Sequence, residues 1–164
     1  MKKFLVLALS LAIVLVSLSS CKISPTTPDE APTAGNALEY YSTVTMGGTG
    51  TYSNWFGQTS TASDGTDALQ SGNTAHSSTT WFEITVSSAN YVDFYWKVSS
   101  EGIFDRLSVY VDGFLETSIS GETAWNNYSI NLGGGTHDIR WVYSKDSTNS
   151  YGSDAGWVDD IYIH

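Results

Sequence analysis

The chain has 164 residues, one cysteine, three prolines and a formal net charge of −10, with seven lysines and arginines against seventeen acidic residues. An acidic exterior repels phosphate backbones, and the basic residues beyond the N-terminus (Lys22, Lys97, Arg106, Arg140 and Lys145) are scattered, which argues against nucleic acid as a partner. A single cysteine excludes an intrachain disulfide framework, and the histidines His76, His137 and His164 show no zinc-ligand grouping.

The chain opens with Lys2-Lys3 and an apolar run from Phe4 to Val16, the pattern of a targeting segment and not of a fold element. The segment closes on Leu18-Ser19-Ser20-Cys21, which resembles the lipobox of bacterial lipoproteins. That resemblance implies cleavage before Cys21, acylation of its thiol and new amino group, and a mature chain tethered to a membrane. Losing Lys2 and Lys3 would take the net charge from −10 to −12. Lys22 after the cysteine, in place of an aspartate, resembles the pattern that permits export to an outer membrane. A cleaved signal with an incidental cysteine, or an uncleaved anchor helix of marginal apolar length, are the competing readings. From Lys22 to Asn36 the residues are Ser, Thr, Pro, Ala and acids, including all three prolines, and read as an extended spacer. The expected organisation is a signal over residues 1–20, an acylated Cys21 and tether over 21–36, and one folded domain over 37–164. Roughly 130 residues suffice for one core and not for two.

Beyond the spacer no segment has helical apolar spacing, and Thr, Tyr, Trp, Val and Ile alternate with Gly, Asn, Asp and Ser clusters. Gly47-Gly48-Thr49-Gly50 reads as a glycine turn. Weak strands are expected at Trp55-Phe56 and Ala68-Leu69, and a further strand from Thr80 to Val86. The clearest strand is Tyr91 to Val98: Val92, Phe94, Trp96 and Val98 share an apolar face, with Tyr91, Asp93, Tyr95 and Lys97 opposite. Leu107, Val109 and Val111 alternate in the same way before Asp112-Gly113, a hairpin turn into Phe114-Leu115. Tyr128, Ile130 and Leu132 precede Gly133-Gly134-Gly135, and His137, Ile139, Trp141 and Tyr143 follow it, which predicts a second hairpin. The last strand runs from Trp157 to Ile163. Its alternation carries a carboxylate into whichever face is core unless a bulge intervenes. The fold class is therefore all-β, an antiparallel two-sheet β-sandwich.

Several segments together resemble MAM-type domains of bacterial surface proteins, with the concanavalin A-like jelly-roll fold. The most specific are Phe94-Tyr95-Trp96-Lys97-Val98-Ser99-Ser100-Glu101 and Gly156-Trp157-Val158-Asp159-Asp160-Ile161. Asp105-Arg106-Leu107, Val111-Asp112-Gly113, Ile119-Ser120-Gly121-Glu122 with Trp125, and the stretch from His137 to Asp146 add to the likeness, which covers Ala37 to His164. Animal MAM domains carry cysteines that this chain lacks, so the bacterial branch is the better comparison. The resemblance implies an adhesive or ligand-binding setting. It also implies a cation held between an early acidic loop, here Asp64-Gly65-Thr66-Asp67, and the acidic pair of the last strand. On that basis Asp64 or Asp67, with Asp159 or Asp160, would hold one Ca²⁺, for which all-oxygen ligands are suited. The plainer reading is that these aspartates cap turns or accept backbone N–H groups.

Six tryptophans and ten tyrosines make sugar stacking a natural function to test. Trp96, Trp141 and Trp157 fall in apolar alternations and read as core. Trp55, Tyr110, Trp125, Tyr143 and Tyr151, at loops, strand ends or polar faces, are the glycan candidates. Tyr91, Tyr95 and Tyr110 would form an exposed stripe if their strands paired. No Glu-x-Asp-x-Glu strand of the jelly-roll glycosidases occurs, Glu101 and Asp105 read as loop carboxylates, and no Gly-x-Ser-x-Gly elbow is present, so the chain is not read as an enzyme. The expected function is a binding or adhesion module, most simply for carbohydrate, with a surface protein or a structural role in the envelope as the alternative partner class.

Overall fold

The computed structural model describes residues 31–40 and 42–164. Cys21, the signal and most of the spacer lie outside the described residues. The compact unit is Ala31–His164, so Ala31 to Asn36, assigned to the spacer from sequence, belong to it. A 3-10 turn at Asn36–Leu38 buries Ala37 and Leu38.

Ten strands follow: β1 (Val44–Thr49), β2 (Phe56–Gln58), β3 (Ala68–Gln70), β4 (Thr79–Ser87), β5 (Tyr91–Ser99), β6 (Arg106–Val111), β7 (Phe114–Ser120), β8 (Asn126–Asn131), β9 (Thr136–Ser144) and β10 (Ala155–Ile163). They form two five-stranded antiparallel sheets, ordered β1-β4-β9-β6-β7 and β2-β3-β10-β5-β8. The expected all-β sandwich is what the chain forms, and among the described residues there is no α-helix. From β3 onward nearly every connection crosses between the sheets, and the β6–β7 hairpin is the exception.

That hairpin turns where Asp112-Gly113 predicts it. Both residues have positive φ (51° and 82°), as a two-residue turn of the primed type requires. The other expected hairpin is not one. β8 pairs with β5 while β9 pairs with β4 and β6, so Gly133-Gly134-Gly135 is an arch between the sheets. All three glycines have positive φ, a run that carries the chain out of one sheet instead of folding it back. The expected turn at Gly47-Gly48-Thr49 is also corrected, because these residues are the end of edge strand β1, paired to β4.

The core is aromatic. Phe82 stacks on Trp141 with centroids 4.8 Å apart, while Trp55 and Phe94 meet these rings edge-on at 4.9 and 5.1 Å. Each such ring contributes about 1.5–3 kcal/mol by leaving water, and the offset and edge geometries add to that.

In β10 the alternation is broken by a bulge. Asp159 pairs with Tyr95 and Tyr162 with Asp93, so Asp160 and Ile161 together face Phe94. Asp160 sits at φ 51°. The extra residue resets the parity: Val158 and Ile161 reach the core, and Tyr162 stands in solvent. The bulge thus keeps both carboxylates of Asp159-Asp160 out of the apolar interior.

Candidate functional site

Two regions concentrate chemistry. The first is built by the β10 bulge. Asp159 is fully buried, and its oxygens accept the Ser63 N–H at 2.6 Å and the Asp160 N–H at 2.9 Å. Asp160 Oδ2 accepts the Ser63 hydroxyl at 2.7 Å, and its N–H also donates to Glu39 Oε2 at 3.2 Å. The loop that the sequence singled out, Asp64 to Asp67, therefore lies against the last strand as expected. Glu39, directly after the 3-10 turn, joins it. One oxygen from each of Glu39, Asp64 and Asp160 lies within 4.8 Å of the others.

No cation of the described chain neutralises this cluster. Arg140 pairs with Glu83, Lys145 with Asp105 and Asp154, Arg106 bonds the Ile103 carbonyl, and Lys97 lies over Trp157. The consequence is visible in the protonation equilibria. Burial, then the charges of Asp159 and Asp160, raise Glu39 to about 7, against the opposing Asp160 N–H. Burial and Asp64 push Asp67 up as well. Asp159 is raised by burial, with the Ser63 donors opposing. Asp67 Oδ1 is buried without a hydrogen-bond partner. An all-oxygen set with an orphaned buried oxygen and no internal counter-charge fits a hard divalent cation.

The second region is an open groove of about 480 Å³ on the outer face of the β1-β4-β9-β6-β7 sheet, lined by Glu83, Tyr110, Asp112, Gly113, Asp138, Arg140 and Val142. Strand register explains the lining. Glu83 on β4, Arg140 on β9, Tyr110 on β6 and Leu115 on β7 form one cross-strand row. In the row beside it, Trp81 lies against Gly47, where any Cβ would meet the indole at 2.5 Å. The Arg140 guanidinium covers that indole at 4.2 Å and gives its Nε–H to Glu83 Oε2 at 2.8 Å, with Nη2 at ion-pair distance, 2.8 Å, from the same oxygen. Asp138 Oδ1 accepts the Thr85 hydroxyl at 2.7 Å. Tyr110, Asp138 Oδ2 and Glu83 Oε1 remain for a ligand.

The groove wall is braced from behind. His137 Nδ1 meets Asp112 Oδ2 at 2.7 Å and Nε2 meets the Gly134 carbonyl at 2.9 Å. Both partners are acceptors, so the ring satisfies both only as the imidazolium, and these bonds raise His137, while the Asp138 N–H first and then His137 lower Asp112.

The sequence-chosen aromatics divide. Tyr110 lines the groove, Tyr151 is exposed on the β9–β10 loop, and Trp125 is half-buried between β7 and β8. Trp55 and Tyr143 are corrections: both are core residues. Trp55 is 3% exposed against Phe82, and Tyr143 is fully buried with its hydroxyl donating to Asp154 Oδ1 at 2.9 Å. Tyr143 belongs to the inward parity of β9 with Ile139 and Trp141. The three-tyrosine stripe does not form, because Tyr91 and Tyr95 are on β5 in one sheet and Tyr110 is on β6 in the other. Glu39, Trp81, Glu83, Asp138 and Arg140 were missed. Only the β4 and β9 alternations, read outward, could have flagged the last four.

Glu101 and Asp105 do approach each other, with Asp146, at the opposite end of β5. Asp105 is fully buried and holds the Lys145 ammonium at 2.8 Å and the Asp146 N–H at 2.9 Å, so it is committed to structure and closed to a substrate.

No protein-family model matches the chain, and no curated protein sequence matches it. Solved structures do. The K1 cleaved adhesin domain of Lys-gingipain from Porphyromonas gingivalis W83 is 11% identical over 74% of this chain and 89% of its own, with a TM-score of 0.55. TmCBM61, solved in complex with beta-1,4-galactotriose, is 18% identical over 81% of this chain and 94% of its own, with a TM-score of 0.53. The secreted serine protease VesC from Vibrio cholerae is 19% identical, with a TM-score of 0.54 over 59% of this chain, and the match spans only 21% of the protease. At these identities the likeness is one of fold, the β-sandwich.

Proposed function

We propose that the domain is a non-catalytic carbohydrate-binding module of a cell-surface lipoprotein, and that sugar lies in the groove on the outer face of the β1-β4-β9-β6-β7 sheet. The observation that carries this is the groove itself. An aromatic ring, Tyr110, stands beside open carboxylate oxygens on a rigid sheet, which is the mixture of apolar platform and hydroxyl acceptors that a pyranose presents a match for. Fold likeness to an adhesin domain and to a galactotriose-bound module supports the reading, as does the MAM-like Tyr-Trp-Lys-Val-Ser-Ser-Glu segment. Tyr110→Ala should lower retention on polysaccharide at least tenfold in affinity electrophoresis while leaving the melting temperature within about 2 °C, since surface truncations are mild. Unchanged retention would remove the groove from the account.

The same reading includes a structural Ca²⁺ held by Glu39, Asp64 and Asp160, with Asp67 and the already bonded Asp159 in support. When bound, the ion would supply the positive charge that joins the Asp64 loop and Glu39 to the β10 bulge. It includes an acyl anchor at Cys21, which places the module at the cell envelope, in the outer membrane where one exists. Cys21→Ala should abolish incorporation of a labelled fatty acid and release the chain from the membrane fraction; labelling that persists would overturn the anchor.

A further inference from the structure

The charges around the groove say which glycans it takes. Three carboxylates line it, those of Glu83, Asp112 and Asp138, against one cation. That cation is already spent: Arg140 has one face on Trp81, its Nε–H on Glu83 Oε2 and its Nη2 in ion-pair contact with the same oxygen. Asp112 is tied to His137 and to the Asp138 N–H. Asp138 alone faces the groove with no cationic partner, bonded only to the neutral Thr85 hydroxyl. A sugar hydroxyl donates well to such an oxygen, and a carboxylate accepts from two neighbouring hydroxyls at once. A uronate or a sulfate offers acceptors only and would bring a second negative charge against Asp138. The whole chain, at −10, opposes a polyanion before contact as well.

Resting on the carbohydrate reading above, we infer that the groove selects uncharged oligosaccharides and rejects uronate- and sulfate-bearing ones, with Asp138 as the residue that sets the discrimination. The apolar part of the site is compatible with a neutral ring. Tyr110 and its cross-strand partner Leu115, which is 57% exposed, offer a continuous platform for the C–H face of a pyranose. The Trp81 indole is not part of that platform, because the guanidinium lies over it.

The test uses the full-length chain in mild detergent and a panel of immobilised neutral hexose polysaccharides, each paired with the same material after oxidation of its C6 primary alcohols to carboxylates. The expected result is retention on at least one neutral member and at least tenfold weaker retention on its oxidised partner at low salt. That gap should narrow at 0.5 M salt, where charges are screened within a few ångströms. Asp138→Asn, which keeps the side-chain shape, should recover at least threefold on the oxidised partner. Equal or tighter binding of the oxidised form, or a gap indifferent to Asp138→Asn, overturns the inference while the carbohydrate reading stands. Retention on no member of the panel overturns both. Retention that survives Tyr110→Ala places the sugar outside the groove and overturns the inference by that route.

Discussion

Glu39 shows what a single residue can report about a site. Its carboxyl is raised to about 7 by burial and by Asp159 and Asp160, so in the metal-free protein the folded state holds a proton that the unfolded chain has released. Between the ordinary glutamate range and about 7 the native state binds more protons than the unfolded one. Stability from this group is complete below that window and is lost as pH rises through it. The melting temperature in EDTA should therefore fall from pH 5 to pH 7.5, and Glu39→Gln, which is neutral throughout, should flatten that part of the profile. A wild-type profile that is flat or rising across the window would mean that the cluster is already compensated. Glu39 carries no motif, and nothing in the sequence around Ala37-Leu38 points to the last strand 121 residues away. Trp55 and Tyr143 failed in the opposite direction. An aromatic beside polar residues looks available, yet Tyr143 shares the inward parity of Trp141, and a buried hydroxyl needs only one partner, here Asp154.

At the scale of elements, side-chain alternation identified β5, β6, β9 and β10 because a half-buried strand must alternate. It could not say which sheet each strand joins, and so the Gly133-Gly134-Gly135 arch looked like a hairpin. β1 was invisible because glycines interrupt its pattern, and those glycines are there for close approach. A Cβ on Gly48 would lie 2.2 Å from the Thr79 carbonyl oxygen and 2.7 Å from the Tyr52 ring, while one on Gly47 would meet the Trp81 indole first, at 2.5 Å. A backbone carbonyl cannot swing aside and an indole can. Gly48→Ala should accordingly cost about 1–3 kcal/mol, the usual range for an overpacked position. Gly47→Ala should cost less in a denaturant titration but displace Trp81 and with it Arg140, weakening glycan retention. If the two variants are equally stable, β1 does not pack against β4 as tightly as the register implies.

For the whole molecule the open question is what holds an acidic chain of net charge −10 together where its carboxylates converge. The segment before β1, the Asp64 loop and β10 meet at the bulge, three parts distant in sequence joined at one point by Glu39, Ser63, Asp64, Asp159 and Asp160. Like charges gathered there oppose folding, and a divalent ion bound only by the native state would reverse that contribution. A ligand at about a hundred times its dissociation constant stabilises by about 2.7 kcal/mol. For a domain of this size that is a rise in melting temperature on the order of 10 °C. Calcium should therefore raise the melt of the EDTA-treated chain by that order, and Asp160→Asn should remove most of the rise. Asparagine is the apt probe because position 160 has φ 51°, which Asn tolerates and Ala does not, so the variant loses a ligand charge without straining the bulge. A melt indifferent to calcium in the wild-type chain would assign the cluster to backbone and hydroxyl bonding alone. The Ser63 contacts to Asp159 and Asp160 would then be what closes the sandwich at this point.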